Sequence, residues 1–230
     1  MGRLLPPLPS RPPRSPATDA MKTIFPYIAA STAEVAPRMN ICVGDGLAYI
    51  DERPSDRDDQ GILWTRQVLA HGQGTPLYGK IHVTRQRHAV LALLCQVCGG
   101  EPDENDDGIL WLLPGRWQGE PVSYPPICQP CCVKALRMCP PLRQSHTVLR
   151  VRDVEPYGVL ARQFDSACRE IRPDPVLMRY GDPRLPMSLG VQQVVTLRGV
   201  GTLTHPTACG HRAEAVAEVA EAVVEVQSGP

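Results

Sequence analysis

LLCQVCGGEP, positions 93–102, decides how the rest of the chain is read. Cys95 and Cys98 stand two residues apart with Gly99 and Gly100 directly after them. After a further 29 residues the spacing returns as Cys128 and Cys131 in ICQPCCVKALRMC. A two-residue gap in a tight turn lets two thiolates face one ion while nearby amides stabilise the sulfur charge. Two such pairs make a closed tetrahedral set. Four soft sulfur ligands suit one structural Zn2+, or iron in a rubredoxin-like arrangement. Cys95, Cys98, Cys128 and Cys131 are therefore the candidate metal ligands. Cys132 competes with Cys131 for the fourth place. The two-residue rule favours Cys131, and Cys132, Leu136 and Cys139 then share one helical face as small apolar side chains. Cys42, Cys168 and Cys209 have no partner spacing. Nine cysteines without a secretory signal turn the expectation from disulfides towards metal.

The segment between the pairs predicts a hairpin. An acidic turn at 106–107 leads into a strand ending near Leu113, and a glycine-containing loop runs through Gly119 to a second strand near Val122 to Tyr124. After the second pair the chain reads as a short helix that begins at the cysteines themselves and closes before Pro140. Knuckle, hairpin, and a helix whose first turn supplies the last ligands is the order of a treble-clef zinc finger. Residues 93–140, about a fifth of the chain, resemble that module, the scaffold that HNH nucleases also use. The resemblance implies a zinc-stabilised finger. It implies nuclease chemistry only where histidines stand in the hairpin, and none lies between Cys98 and Cys128. The whole chain also resembles uncharacterised actinobacterial or mobile-element proteins, which implies no activity.

Composition bounds the rest. The 230 residues allow one good core, and 25 prolines with only 5% aromatic residues point to short elements and many loops. Formal net charge is zero, so no global field draws the chain to nucleic acid or to an anionic membrane. The longest apolar run, AVLALLC at 89–95, is too short to span a bilayer, and a cytoplasmic protein without membrane contact is expected. Residues 1–20 read as a disordered Pro/Arg-rich tail, with Met21 a candidate start. Residues 21–210 read as a single globular domain carrying the zinc module. Residues 211–230 read as a C-terminal amphipathic helix and tail. There Val216, Val219, Val223 and Val226 recur at helical steps, with Glu214, Glu218, Glu221 and Glu225 between them. That face suits core packing, or docking onto a protein partner or a second copy. The expected fold class is α+β: a small loop-rich domain around a treble-clef-like four-cysteine zinc site, with that helix at its end.

Elsewhere, strands are expected at 41–43 and 47–50 across a Gly-Asp-Gly turn. A helix is expected from a Thr84 cap, with Val90, Leu91 and Leu94 on one face. A strand is expected at 146–154, with leucine and valine inward and Arg150 and Arg152 outward. A helix is expected at 187–198, weakened by Gly190. DDQGILW at 58–64 and DDGILW at 106–111 repeat one phrase, either a duplicated hairpin unit or a common turn-to-strand solution.

Chemical motifs are sparse. The chain has no GxxxxGK[ST] loop, GxSxG elbow or HExxH helix. His82 and His88 read as surface residues, and HPTACGH at 205–211 reads as a polar loop. Four thiolates close a zinc ion's coordination sphere and quench its Lewis acidity, which argues against an enzyme. Arg85, Arg87, Arg116, Arg137, Arg143, Arg150 and Arg152, with Trp117 and Tyr124, make a candidate face for DNA or RNA. The expected role is a zinc-stabilised, non-catalytic binding or adaptor protein. The alternatives are a metal-dependent HNH-like nuclease with displaced catalytic groups, a redox C-x-x-C pair, and a protein-protein adaptor using the C-terminal helix.

Overall fold

The computed structural model describes residues 25–34, 41–43 and 46–202. In chain order the elements are β1 (Ala29–Ser31), β2 (Ile41–Val43), β3 (Leu47–Tyr49), β4 (Leu63–Trp64), β5 (Pro76–Ile81), α1 (Val83–Leu91), β6 (Glu104–Asn105), β7 (Gly108–Pro114), α2 (Gln129–Met138), α3 (Pro140–Gln144), β8 (His146–Gln163), β9 (Val176–Arg179) and β10 (Ser188–Thr202). Helices and sheet are thus mixed. The predicted C-terminal helix, the N-terminal tail and the 205–211 segment lie outside the described residues.

A six-stranded sheet organises the fold. Its spine is the long antiparallel pair β8 and β10, in register from Ser188 opposite Gln163 to Thr202 opposite Leu149. On the other edge of β8, β7 pairs with residues 146–151 and β9 with residues 158–161, both antiparallel. β6 folds back on β7, and β4 lies parallel to β10 on its far side. Two small ladders stand apart, β1 with β5 and β2 with β3. The second of these is the predicted hairpin.

β7 shows why both sheet faces are buried. Alternate side chains of a strand point to opposite faces. Ile109, Trp111 and Leu113 join Leu149, Val151, Val195 and Leu197 in a core that Val90 of α1 enters. Leu110 and Leu112 join Val148 on the other face, where Cys95, Ile127, Cys131 and Cys132 cover them. Six consecutive residues, Gly108 to Leu113, are therefore buried.

That second cover corrects the outward placement of Arg150. The side chain is only 7% exposed, and its guanidinium pairs with Asp103 and donates to the carbonyls of Asp103 and Gly108. Arg150 lies opposite Leu110 in the ladder, under the cysteine-bearing segment, so the face that alternation made wet is dry. Arg152 is exposed as expected.

The region predicted as helix 187–198 is instead β10. Ladder irregularities at Gly190/Gln192 and Val194/Val195 break its alternation, so buried positions fall at 188, 189, 190, 193, 194, 195 and 197, and within them 190, 193, 194 and 197 mimic a helical period. Gly190 is required for a different reason, since a Cβ there would stand 3.0 Å from the Trp64 ring. The predicted strand pair 113/122 also differs. β7 turns back on β6, and Val122 bridges to Val195 of β10.

The repeated phrase is local turn chemistry. In the first copy Asp58 accepts from the Gln60 and Ile62 amides and from Trp64 Nε1. In the second, Asn105 accepts from the Asp107 amide, and Trp111 Nε1 donates to the Tyr124 carbonyl. The two strands stand three places apart in the sheet order, β4 a two-residue edge and β7 next to the opposite edge.

α1 starts two residues earlier than expected, with His82 and not Thr84 as its cap. His82 is fully buried, which corrects its surface placement. Its Nδ1 accepts from the Arg85 amide, so Nε2 carries the proton and donates to the Val68 carbonyl at 3.1 Å. Leu91 is exposed at the helix end, and the inward face is Val83, Gln86, Ala89 and Val90.

Candidate metal centre

The cysteine site is assembled by two backbone devices. At the first, α1 ends, Leu93 takes a left-handed φ of 52°, and the chain enters a tight knuckle. The Cys95 amide donates to the Gly100 carbonyl at 2.7 Å and the Gly99 amide to the Cys95 carbonyl at 2.8 Å. Gly99 has φ +73°, a conformation that favours glycine. At the second, Cys128 caps α2 with extended backbone and Cys131 follows in the first turn. Pro130 sits where a helix has no intrahelical use for an N–H.

The sheet brings the pairs together. The amide of Ile127 donates to Leu110 of β7, and Gln96 inside the knuckle donates its own amide to Pro126. The Gln96 side chain reaches further, to the carbonyls of Leu112 and Pro125. Gln96 is a positioning residue that the sequence pattern does not mark, because any residue can occupy the gap of C-x-x-C.

The four Sγ atoms of Cys95, Cys98, Cys128 and Cys131 lie within 4.8 Å of one another, a cluster that could hold a metal ion. Cys98 and Cys128 are 3.8 Å apart. That is far beyond a disulfide bond of about 2.05 Å. It matches the edge of a tetrahedron with metal–sulfur bonds of about 2.3 Å, which is about 3.8 Å. The donor set therefore fits a tetrahedral thiolate-bound cation.

The electrostatics point the same way. Burial pushes the Cys95 thiol up to about 11, against the amides of Cys128, Cys98 and Val97 that face its sulfur. Burial also pushes Cys131 strongly upward, with the neighbouring thiols adding to it. Burial acts on Cys98 too, but the Gly100 amide and the other three thiols reverse the shift and lower it. A cluster that is costly to ionise alone, yet lined with N–H groups aimed at sulfur, is arranged for a cation to supply the missing charge.

Cys132 is fully buried outside the four-sulfur cluster, packed with Leu110, Leu112 and Ile127. Cys139 joins α2 to α3, and Cys168 lies elsewhere at a left-handed φ of 57°. Cys42 is on β2, and Cys209 is outside the described residues.

The seven arginines of the candidate face do not form one surface. Arg85 is 4% exposed and bound to Glu34, so its guanidinium is internal, as is that of Arg150. Arg87 stacks over the Trp64 ring, 4.7 Å from its centroid. Arg116, Arg137, Arg143 and Arg152 are exposed. Trp117 packs partly against the core, with Nε1 on the Glu120 carbonyl, while Tyr124 is exposed.

Among the described residues no helix is long and apolar enough to cross a membrane. No protein-family model matches the chain, and neither a curated protein nor a solved structure is significantly similar to it, so the four-sulfur cluster is what the molecule itself offers about its role.

Proposed function

We propose that the chain holds one structural Zn2+ on Cys95, Cys98, Cys128 and Cys131, and that it is a non-catalytic binding or adaptor protein stabilised by that ion. The observation that carries this reading is the convergence of four sulfurs within 4.8 Å. Four thiolates leave no coordination position for water, so the ion would serve the fold and not hydrolysis. In this reading the knuckle, the β6–β7 hairpin and α2 together form a treble-clef-like finger. Structural zinc in finger peptides binds with roughly 10–16 kcal/mol, as much as the whole net stability of a domain. The ion is then a condition of folding for residues 93–140.

The test is elemental analysis and native mass spectrometry on protein purified without added metal. One zinc per chain is expected, lost in Cys131→Ser and retained in Cys132→Ser. Absence of metal, with the cysteines oxidised in pairs, overturns the reading. Equal zinc loss from the two variants overturns the ligand assignment. For the binding role, exposed Arg137 on α2 and Arg143 on α3 support a small basic surface on the cysteine-bearing side, suited to the phosphates of DNA or RNA. Anisotropy titrations that weaken with salt, and weaken again in the Arg137→Glu/Arg143→Glu double variant, are expected. A flat titration at low salt would leave the adaptor role to protein partners.

A further inference from the structure

The four sulfurs of the cysteine cluster are not equally reachable. Cys95 is 0% exposed and Cys131 9%, and both pack into the core with Leu110, Leu112 and Ile127. Cys98 is exposed at the lip of the knuckle, and Cys128, the cap of α2, is half-buried beside it. One edge of the cluster therefore meets solvent. It runs between the two C-x-x-C pairs, along the 3.8 Å from Cys98 Sγ to Cys128 Sγ.

Gly100 keeps that edge open. Gly99 has reasons of its own to be glycine, a φ of +73° and a Tyr27 ring atom 2.7 Å from where a Cβ would stand. Gly100 has neither. Its φ is outside the left-handed region, and a Cβ placed there would touch Cys98 Sγ at 3.6 Å, an ordinary van der Waals contact. A side chain at this position would suit the backbone and lie against the sulfur, whereas glycine leaves the sulfur bare. Oxidation of cysteine follows thiolate character and access. In a zinc site all four ligands are thiolates, so access ranks them, with Cys98 first and Cys128 next.

Resting on the zinc assignment above, we propose that Cys98 is an oxidation site for hydroperoxides, with Cys128 as its resolving partner, and that the Cys98–Cys128 disulfide releases the ion while holding the module together. The Cys98 thiolate attacks one peroxide oxygen, the O–O bond breaks, and the leaving oxygen takes a proton from solvent and departs as water or an alcohol. The Cys128 thiolate then attacks the sulfenic sulfur. The S–S bond forms, the S–O bond breaks, and the departing hydroxide takes a second proton to become water. Each sulfur gives up one electron and the hydroperoxide gains both. Zn2+ leaves once two of its four ligands are gone. Closing 3.8 Å to a bond of about 2.05 Å asks for about 1.8 Å of movement on the exposed side. The new bond ties the knuckle to the start of α2, the two pieces that the ion joined, so Cys95 and Cys131 stay packed on β7. A disulfide within either pair would join neither piece to the other.

The test uses the full chain, with zinc measured before any oxidant is added; absence of zinc at that point overturns the zinc assignment and this proposal with it. Hydrogen peroxide is then added stepwise. Zinc release is followed with a chromogenic chelator, and disulfides are mapped by peptide mass spectrometry after free thiols are alkylated. Release of one zinc per chain, a Cys98–Cys128 cross-link and alkylated Cys95 and Cys131 are expected, all reversed by a dithiol and fresh zinc. Amide protection at residues 109–113 should persist in the cross-linked, zinc-free protein. Gly100→Val leaves every ligand in place, so it should bind zinc as the parent does and lose it to peroxide several-fold more slowly. Disulfides within the pairs 95–98 and 128–131, or oxidation that spares Cys98, overturn the proposal while the zinc assignment stands. Parental reaction rate in zinc-loaded Gly100→Val does the same. Should that variant fail to bind zinc, the disulfide map of the parent decides alone.

Discussion

At the scale of single residues, Arg85, which could have faced solvent, instead ties distant segments together. Arg85 donates to the carbonyls of Tyr27 and Ala29 and pairs with Glu34, while the Ala70 amide donates to the same carboxylate. One guanidinium thus holds the first described segment, the loop before β5 and α1 in a single network. Burial pushes the Glu34 carboxyl upward, but the Arg85 hydrogen bond, the Ala70 amide and the Arg85 charge outweigh it and hold the group at about 2, below the ordinary 4.5. A depressed carboxyl pKa contributes stability that is complete above the unfolded value and is lost as pH falls through the folded one. Burial lowers the pKa of His82 beneath 6.5, so it too favours the deprotonated form in the fold and loses stability on acidification. Glu34→Gln leaves a buried guanidinium unpaired and should cost about 3–5 kcal/mol at pH 7. Urea midpoints for parent and variant should converge between pH 4.5 and 2, as the parent carboxylate protonates. A gap that stays constant through that window would show that the pair contributes nothing to the acid limb.

At the scale of elements, Gln86 explains how α1 is held against a strand whose alternation is broken. Its side chain is fully buried. Nε2 donates to the carbonyls of Ser123 and Gln193, and Oε1 accepts from the Gln193 amide at 2.9 Å. The ladder irregularities of β10 flank Gln193, so this side chain supplies backbone partners there. Gln86→Leu preserves bulk but strands the Gln193 N–H and C=O, with an expected loss of about 2–4 kcal/mol in chemical denaturation. A loss below 0.5 kcal/mol, the usual range of surface substitutions, would show that water replaces the amide.

The same strand shows what the sequence made legible. The 41–43 and 47–50 hairpin, the helix beginning at Cys128 and the strand from His146 follow from local chemistry: a turn, a ligand spacing, an alternation. The helix before Cys95 was legible as a helix, but its cap is His82 and not Thr84. The four-cysteine cluster was legible because a metal site is written in spacing alone. β10 was not, because its register shifts turn period two into an apparent period near 3.6. Arg150 was not, because alternation names a face and cannot say that residues far along the chain will cover it.

At the scale of the whole molecule, the cysteine cluster is one wall of the core. Cys95, Cys131 and Cys132 pack directly on Leu110, Leu112 and Val148, so loss of the module bares one face of β7 and of the first part of β8. The opposite end of the sheet is covered otherwise. Val159, Ala161 and Met178 pack with Trp64, Ile62 and Val83 and share no residue with the cysteine cluster. Uncovering a strand face removes roughly 25 cal/mol for each Å2 of apolar area newly exposed, and exposed ladder amides then exchange through local opening. If the cluster holds zinc as proposed, stripping the ion with a mercurial reagent and a chelator should abolish hydrogen-exchange protection at residues 109–113 and 147–151, while residues 158–161 and 189–195 lose it later or to a smaller extent. Restoring zinc should return protection to the first group within one reaction. Uniform loss along both long strands would mean that the sheet folds as one unit and the ion supports all of it. Unchanged protection at 109–113 would mean that the sheet does not depend on the cover, and the ion would then have to be sought in the work of the surface and not in the fold.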